Sequence, residues 1–249
     1  MFPVLLKTSW LTIYSFGTML AAAFIAGLYL MRSEMRRRKL DPEYAYDLVL
    51  GIAFGGLIGA RLFYVVGHWD FYAKNPAEIL FFWNGGLVFY GGLLGGALGL
   101  AAIARWRKLD IFKLGDCIAA PLALGTAIGR VGCFLNGCCY GITAKAPWGF
   151  KFQAIEGTYL PTQLIEMAWA LIMFGVIYFW LEKKFKFKSN GTLFLIYLVL
   201  YGTGRFLVEF IRFATWRLGG IFTFSQLVSV VIMAVSLFIL VRRWRANAL

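Results

Sequence analysis

Residues 118–141 read IAAPLALGTAIGRVGCFLNGCCYG. Twelve uncharged residues run directly into Arg130, and three cysteines and Asn136 follow within the next nine positions. A run of this kind is too apolar for a surface helix, and an arginine near its end is costly in a bilayer unless it serves a partner or a wet site. The rest of the chain has the same character. It has 249 residues, 61% of them hydrophobic and only 15% charged, and a mean hydropathy of +0.73. A soluble domain carries about 25% charged residues.

Seven apolar segments are expected to cross the membrane: 10–31, 45–67, 86–104, 114–134, 161–181, 191–211 and 221–241. The fold expected is therefore all-α and polytopic, a single integral membrane domain over 1–249. The first segment, opening at Trp10, is expected to be retained. It exceeds the roughly 7–15 residues of a signal-peptide core, lacks a cationic segment ahead of it and is followed by RSEMRRRK.

Orientation follows from the cations. With the N-terminus outside, segments 32–39, 105–113, 182–188 and 242–249 face the cytoplasm and hold sixteen of the 25 Lys and Arg residues, among them Lys183, Lys184, Lys186 and Lys188. The outer side holds six: Lys7, Lys74, Lys145, Lys151, Arg212 and Arg217. This is a positive-inside distribution. The net charge of +13 thus reports orientation and contact with anionic lipid, not nucleic-acid binding. The C-terminus is then cytoplasmic, and the aromatic-rich segments 68–85 and 135–160 lie on the outer surface as arms or short helices.

The remaining cations, Arg61, Arg130 and Arg205, all fall within outward-running segments. Each lies about 21–24 Å from its cytoplasmic entry at 1.5 Å per residue. That is one level, in the outer leaflet. Glu209 follows Arg205 by one helical turn and Glu166 enters from outside at a similar level. Two carboxylates cannot neutralise three guanidiniums, and a phosphate diester supplies the missing charge with bidentate acceptor geometry. Asp116 reads as an acid at the start of its own helix.

Glycines at 55 and 59, at 91, 95 and 99, and at 92 and 96 have the small-xxx-small spacing that lets helix backbones meet closely. Cys133, Cys138 and Cys139 lack the C-x-x-C spacing of a redox pair. A zinc site needs a fourth ligand, for which the sequence offers its single histidine, His68. Small thiols packed beside a site, or one disulfide, are the readings favoured, so no metal and no cofactor are expected.

Taken in order, these blocks resemble the bacterial prolipoprotein diacylglyceryl transferase family. Residues 129–137, GRVGCFLNG, are similar to its G-R-x-G-N-F-x-N-G core, and Gly141 matches a further glycine. NGGLVFYGGLLG (84–95) is similar to its GG-x-x-F-H-GG segment, PTQLIE (161–166) to P-S-Q-L-Y-E, YGTGRFLVEFIR (201–212) to Y-G-x-x-R-x-x-x-E-x-x-R, and Ser225-Gln226 to G-Q.

The resemblance implies an enzyme of the bacterial inner membrane, with its site toward the outer leaflet. Such an enzyme moves the diacylglyceryl group of phosphatidylglycerol to the lipobox cysteine of a prolipoprotein signal peptide, forming a thioether and releasing glycerol phosphate. It implies catalytic roles for Arg130, Arg205, Glu209 and Tyr90, and substrate contacts for Asn136, Gly141, Arg212, Glu166, Gln163 and Tyr14; Arg61 joins the substrate contacts through its shared depth. Three departures mark a divergent branch. Tyr90 stands where the family has a histidine, a candidate base. Cys133 replaces an asparagine and Cys138 an acidic residue. The alternatives are a paralogue using the same phospholipid with another acceptor, and a lipid or anion transporter. A transporter would need cations continuing toward the cytoplasmic face.

Overall fold

The computed structural model describes residues 2–9, 12–152, 155–181, 189–213 and 222–246. Trp10, the expected cytoplasmic lysines at 183, 184, 186 and 188, and Arg217 lie outside the described residues. Two compact units are present, one formed by Met1–Met31 and Gly115–Leu249, the other by Arg32–Leu114.

A short antiparallel pair, β1 (Val4–Lys7) with β2 (Thr12–Tyr14), precedes helix α1 (Ser15–Arg37). The first long helix therefore starts five residues later than expected and runs further, to Arg37. Strand pairing commits residues 12–14, and Ser15 fixes the turn by donating to the Phe2 carbonyl and through its own N–H to Pro3 (3.0 Å).

The unit Arg32–Leu114 is organised by α2 (Tyr44–Gly67) and α4 (Phe89–Trp106). Their contact is backbone to backbone. A β-carbon on Gly95 would lie 2.1 Å from the carbonyl oxygen of Gly55, and one on Gly99 would lie 2.0 Å from that of Gly51. Only glycine permits this approach, so the row 91, 95, 99 is the seam, with 51, 55 and 59 facing it. Gly92 and Gly96 are beside it, at ordinary contact distances. Between these helices, α3 (Trp69–Tyr72) and two 3-10 turns, Pro76–Leu80 and Phe82–Asn84, form an arm of short helices, as expected. At the opposite end of α2, Arg107 pairs with Asp47 (2.5 Å) and Arg32 with Glu43 (2.6 Å). Fully buried Glu34 is met by Arg37 at 3.0 Å and Arg38 at 3.7 Å.

The other unit contains most of α5 (Ile111–Asn136), then α6 (Thr162–Gly175, continued by a π-helical turn Val176–Leu181), α7 (Thr192–Val208) and α8 (Phe224–Arg245). One face of α5, Ala119, Ala120, Ala123 and Ala127, packs with Ala170, Met173 and Ile177 of α6 and with Leu193 and Tyr197 of α7. Alanines four apart let the helices come close. Asp116 reaches beyond its own helix. Its carboxylate accepts from the backbone N–H of Gly191 (2.7 Å) and Phe194 (3.1 Å), capping α7 across the core. A capping box of Thr223 and Gln226 starts α8.

Among the described residues of the second outer segment, short strands stand where short helices were one expectation. β3 (Phe150–Lys151) pairs with β4 (Thr158–Tyr159), and single bridges join Thr143 to Tyr159 and Gly141 to Arg212. Tyr140 packs against Phe152, Tyr159 and Phe213 at the centre of this layer.

The helices α1, α2, α5, α6 extended to Leu181, and α8 are each long and apolar enough to cross a membrane. The expected third and sixth spans correspond to α4, diluted by its glycines, and to α7, which is apolar but shorter. The architecture is all-α and multi-pass.

Candidate active site

Arg130 lies on the penultimate turn region of α5, Glu166 on the second turn of α6, Arg205 near the end of α7, and Glu209 at its C-cap. Glu166 joins the two arginines. One carboxylate oxygen ion-pairs with Nε of Arg130, and the other accepts from Nη1 of Arg205 at 3.2 Å. Nη2 of Arg205 pairs with Glu209 at 2.7 Å and donates to Oγ of Ser225 on α8 at 3.1 Å. Side-chain exposures are 18% for Arg130, 16% for Arg205, 10% for Glu166 and 6% for Glu209. At such burial the pairs are scarcely screened by salt, and removing one partner strands the other.

Arg130 engages Glu166 only through Nε, and its two terminal nitrogens make no hydrogen bond to any described residue. Arg130 lines a small, partly open cleft together with Thr126, Trp169, Met173, Tyr201 and Gly204. Trp169 is fixed by donating from its indole to the Leu200 carbonyl (3.0 Å). Ser225, Trp169 and Tyr201 were not among the expected site residues. The i,i+4 rule found Glu209, but no local spacing links α7 to Ser225 or Trp169.

The turn after α5 is the second part of the site. Gly137 takes φ +76° and ends the helix, and Cys139 takes φ +68°, a conformation rare outside glycine. Two buried side chains from the start of α6 hold this turn. Gln163 donates to the Cys138 carbonyl (2.6 Å) and Thr162 to that of Cys139 (2.8 Å). The Asn136 side chain is exposed beside this turn, and the Cys138 thiol donates to the Cys133 carbonyl (3.7 Å). The sulfur atoms of Cys133, Cys138 and Cys139 all lie within 4.8 Å of one another, and the thiols are free. The Cys139 thiol is held below the usual range by hydrogen bonds from Cys133 and Cys138, and further by the charges of Arg212 and Arg130.

Gly141 fits where nothing larger does. A β-carbon there would be 2.4 Å from the Ile211 carbonyl oxygen and 2.7 Å from Thr162. This close passage, with its bridge to Arg212, fixes that arginine relative to the cysteine turn. The third cation of this group is thus Arg212. With Arg130 and Arg205 it outnumbers the two carboxylates.

Arg61 belongs to the other unit, and its guanidinium is fully engaged. Nε donates to Ile79 (2.9 Å), Nη1 to Gly85 (2.8 Å) and Gly86 (3.2 Å), and Nη2 to Glu78 (2.6 Å) and Phe81 (3.3 Å), all backbone carbonyls. Tyr90, in the same unit, is exposed on the first turn of α4 with its ring edge against Phe89. Tyr14 is exposed at the end of β2, and its carbonyl accepts from Thr18 (3.1 Å). His68 is in the unit of Arg61, with Nδ1 3.0 Å from the Tyr64 carbonyl oxygen and its ring stacked on Tyr64.

Residues 3–242 match the model of one family, described as prolipoprotein diacylglyceryl transferase. The chain belongs to the prolipoprotein diacylglyceryl transferase family. Among its relatives, the phosphatidylglycerol–prolipoprotein diacylglyceryl transferase of Synechococcus elongatus is 35% identical over 245 residues, covering 93% of this chain and 84% of that protein. The enzymes of that name from Listeria innocua and Streptococcus pyogenes serotype M5 are each 33% identical. They cover 98% and 99% of this chain, and 91% and 97% of their own lengths. Within this transferase family, the chain carries its arginine–glutamate cluster on α5, α6 and α7, next to a cysteine-rich turn.

Proposed function

We propose that this chain transfers the diacylglyceryl group of phosphatidylglycerol to the lipobox cysteine thiol of a prolipoprotein, forming a thioether and releasing glycerol phosphate. The observation that carries the reading is the Arg130–Glu166–Arg205 cluster at a partly open cleft, where no described residue hydrogen-bonds the terminal nitrogens of Arg130. Those nitrogens form the edge that binds a phosphate diester in bidentate fashion. In the reaction sulfur attacks the glyceryl carbon while the C–O bond to phosphate breaks. Charge accumulates on the leaving oxygen, and fixed cations in a water-poor cleft stabilise it there without reorganising.

In this reading Arg130 and Arg205 engage the phosphate, Glu209 and Glu166 fix their directions, and Arg212 supplies positive charge at the rim. Gly141, Gln163 and Asn136 shape the turn that presents it. Tyr90 and Tyr14 contribute hydrogen bonds to the substrates. Arg61 takes another part, as the anchor of its arm. In this reading seven helices, α1, α2 and α4 to α8, cross the bacterial inner membrane with the N-terminus outside and the C-terminus cytoplasmic, which turns the site toward the outer leaflet. The positive-inside distribution supports this orientation.

The test uses purified protein, phosphatidylglycerol vesicles and a peptide bearing one lipobox cysteine. Mass spectrometry is expected to find one diacylglyceryl group on the thiol, and none with Arg130→Ala. Absence of the adduct with folded wild-type protein overturns the proposal.

A further inference from the structure

The reaction just proposed needs a thiolate nucleophile, and the charged cluster offers no evident acceptor for its proton. Glu166 is shared between two arginines and Glu209 is paired with Arg205. What borders this cluster is the group of three free thiols, Cys133, Cys138 and Cys139.

Three features fit this group to a metal. The first is distance. A zinc–sulfur bond is about 2.3 Å, so thiolates on a tetrahedral ion lie roughly 3.8 Å apart, and all three sulfurs are already within 4.8 Å of one another. Side-chain rotation alone can close that gap. The second is rigidity. Cys133 is on the last turns of α5, while the carbonyls of Cys138 and Cys139 are held by Gln163 and Thr162 of α6, both fully buried. The third is charge. Arg130 precedes Cys133 by three residues on α5, and Arg212 is bridged to Gly141, two residues beyond Cys139; these two cations offset the excess negative charge of a zinc ion carrying three or four thiolates. Among the described residues no His, Asp or Glu joins the three cysteines as a ligand. A centre with three protein ligands keeps its fourth position open, as catalytic zinc sites do.

We infer that Cys133, Cys138 and Cys139 bind a zinc-class divalent ion whose fourth position accepts an exogenous thiolate. Resting on the function proposed above, that thiolate is the acceptor cysteine. Coordination releases the thiol proton to water. The sulfur then forms its bond to the glyceryl carbon as the C–O bond breaks, and the electron pair leaves on glycerol phosphate, whose second negative charge balances the released proton. The metal thus takes over the deprotonation that the resemblance assigns to a histidine where this chain has Tyr90.

The experiment is metal analysis of the full-length protein, purified under reductant, stripped by chelation and titrated with zinc, and with cobalt as a spectroscopic stand-in. About one ion per chain is expected, with cobalt–thiolate charge-transfer absorption. Cys133→Ser, Cys138→Ser or Cys139→Ser should each weaken binding at least ~10-fold, whereas Cys117→Ser, at a buried cysteine elsewhere on α5, should leave it unchanged. A lipobox peptide should shift the cobalt spectrum, and its Cys→Ser counterpart should not. No stoichiometric uptake, uptake of copper(I) alone, or a disulfide among the three in protein handled without reductant overturns the site. A cobalt spectrum indifferent to the cysteine peptide, or undiminished transfer by stripped protein, overturns the open-position role. Failure of transfer by protein whose cobalt spectrum does respond counts against the proposed function and leaves the metal site standing.

Discussion

Replacing Arg205 with lysine separates charge from geometry at the centre of the cluster. The guanidinium joins three helices through Glu166 (3.2 Å), Glu209 (2.7 Å) and Ser225 (3.1 Å). A lysine ammonium keeps the positive charge and can still reach Glu209, one turn on along the same helix. A single nitrogen cannot also span α6 and α8. The variant therefore loses one charge-assisted hydrogen bond, about 1.5–3 kcal/mol, and one to a hydroxyl, about 1 kcal/mol. If that positioning is expressed in the transition state, the loss of about 2.5–4 kcal/mol lowers transfer roughly 10²–10³-fold. The assay is the initial rate of peptide lipidation in vesicles, with a thermal melt to establish that Arg205→Lys is folded and Arg205→Ala as the null. Transfer by Arg205→Lys within threefold of wild type would refute the reasoning, because charge alone would then suffice.

Four further substitutions probe the frame around the cluster. Gly95→Val puts side-chain atoms where the Gly55 carbonyl now sits and should destabilise the unit by more than ~3 kcal/mol in a detergent melt, whereas Gly92→Ala, 3.5 Å from its nearest neighbour, should cost under ~1 kcal/mol. Gly141→Ala should reduce transfer several-fold with unchanged far-UV circular dichroism, since it displaces Arg212 without touching a long helix. Asp116→Ala removes the cap of α7 and should lower stability by about 1–2 kcal/mol, read as a reduced melting temperature.

Much of this arrangement was legible from the sequence because it rests on short-range rules. Apolar length marks the helices, glycine spacing marks the α2–α4 seam, and the four-residue step from Arg205 to Glu209 marks a pair. What escaped depends on contacts between distant segments. Asp116 looks like an acid opening its own helix, and nothing local reveals that it caps a helix 75 residues later. Depth counting put Arg61 with Arg130 and Arg205, yet its five hydrogen bonds all end on its own arm, and Arg212 is the cation joined to the cysteine turn. The strands at 150–151 and 158–159 are too short for alternation to show. The cysteines were misleading for the same reason. C-x4-C-C has no familiar metal spacing, and only the turn through Gly137 and Cys139 brings the three sulfurs together.

The five bonds of Arg61 all end on main-chain oxygens, and every amino acid supplies one of those. The arm from Glu78 to Gly86 is therefore anchored by its path and not by its side chains. Its aromatic residues can be exchanged to suit a thicker bilayer, a different headgroup or another peptide without loosening the anchor. An insertion or deletion of one residue would instead throw the oxygens out of register with the guanidinium. The arm is free in composition and strict in length.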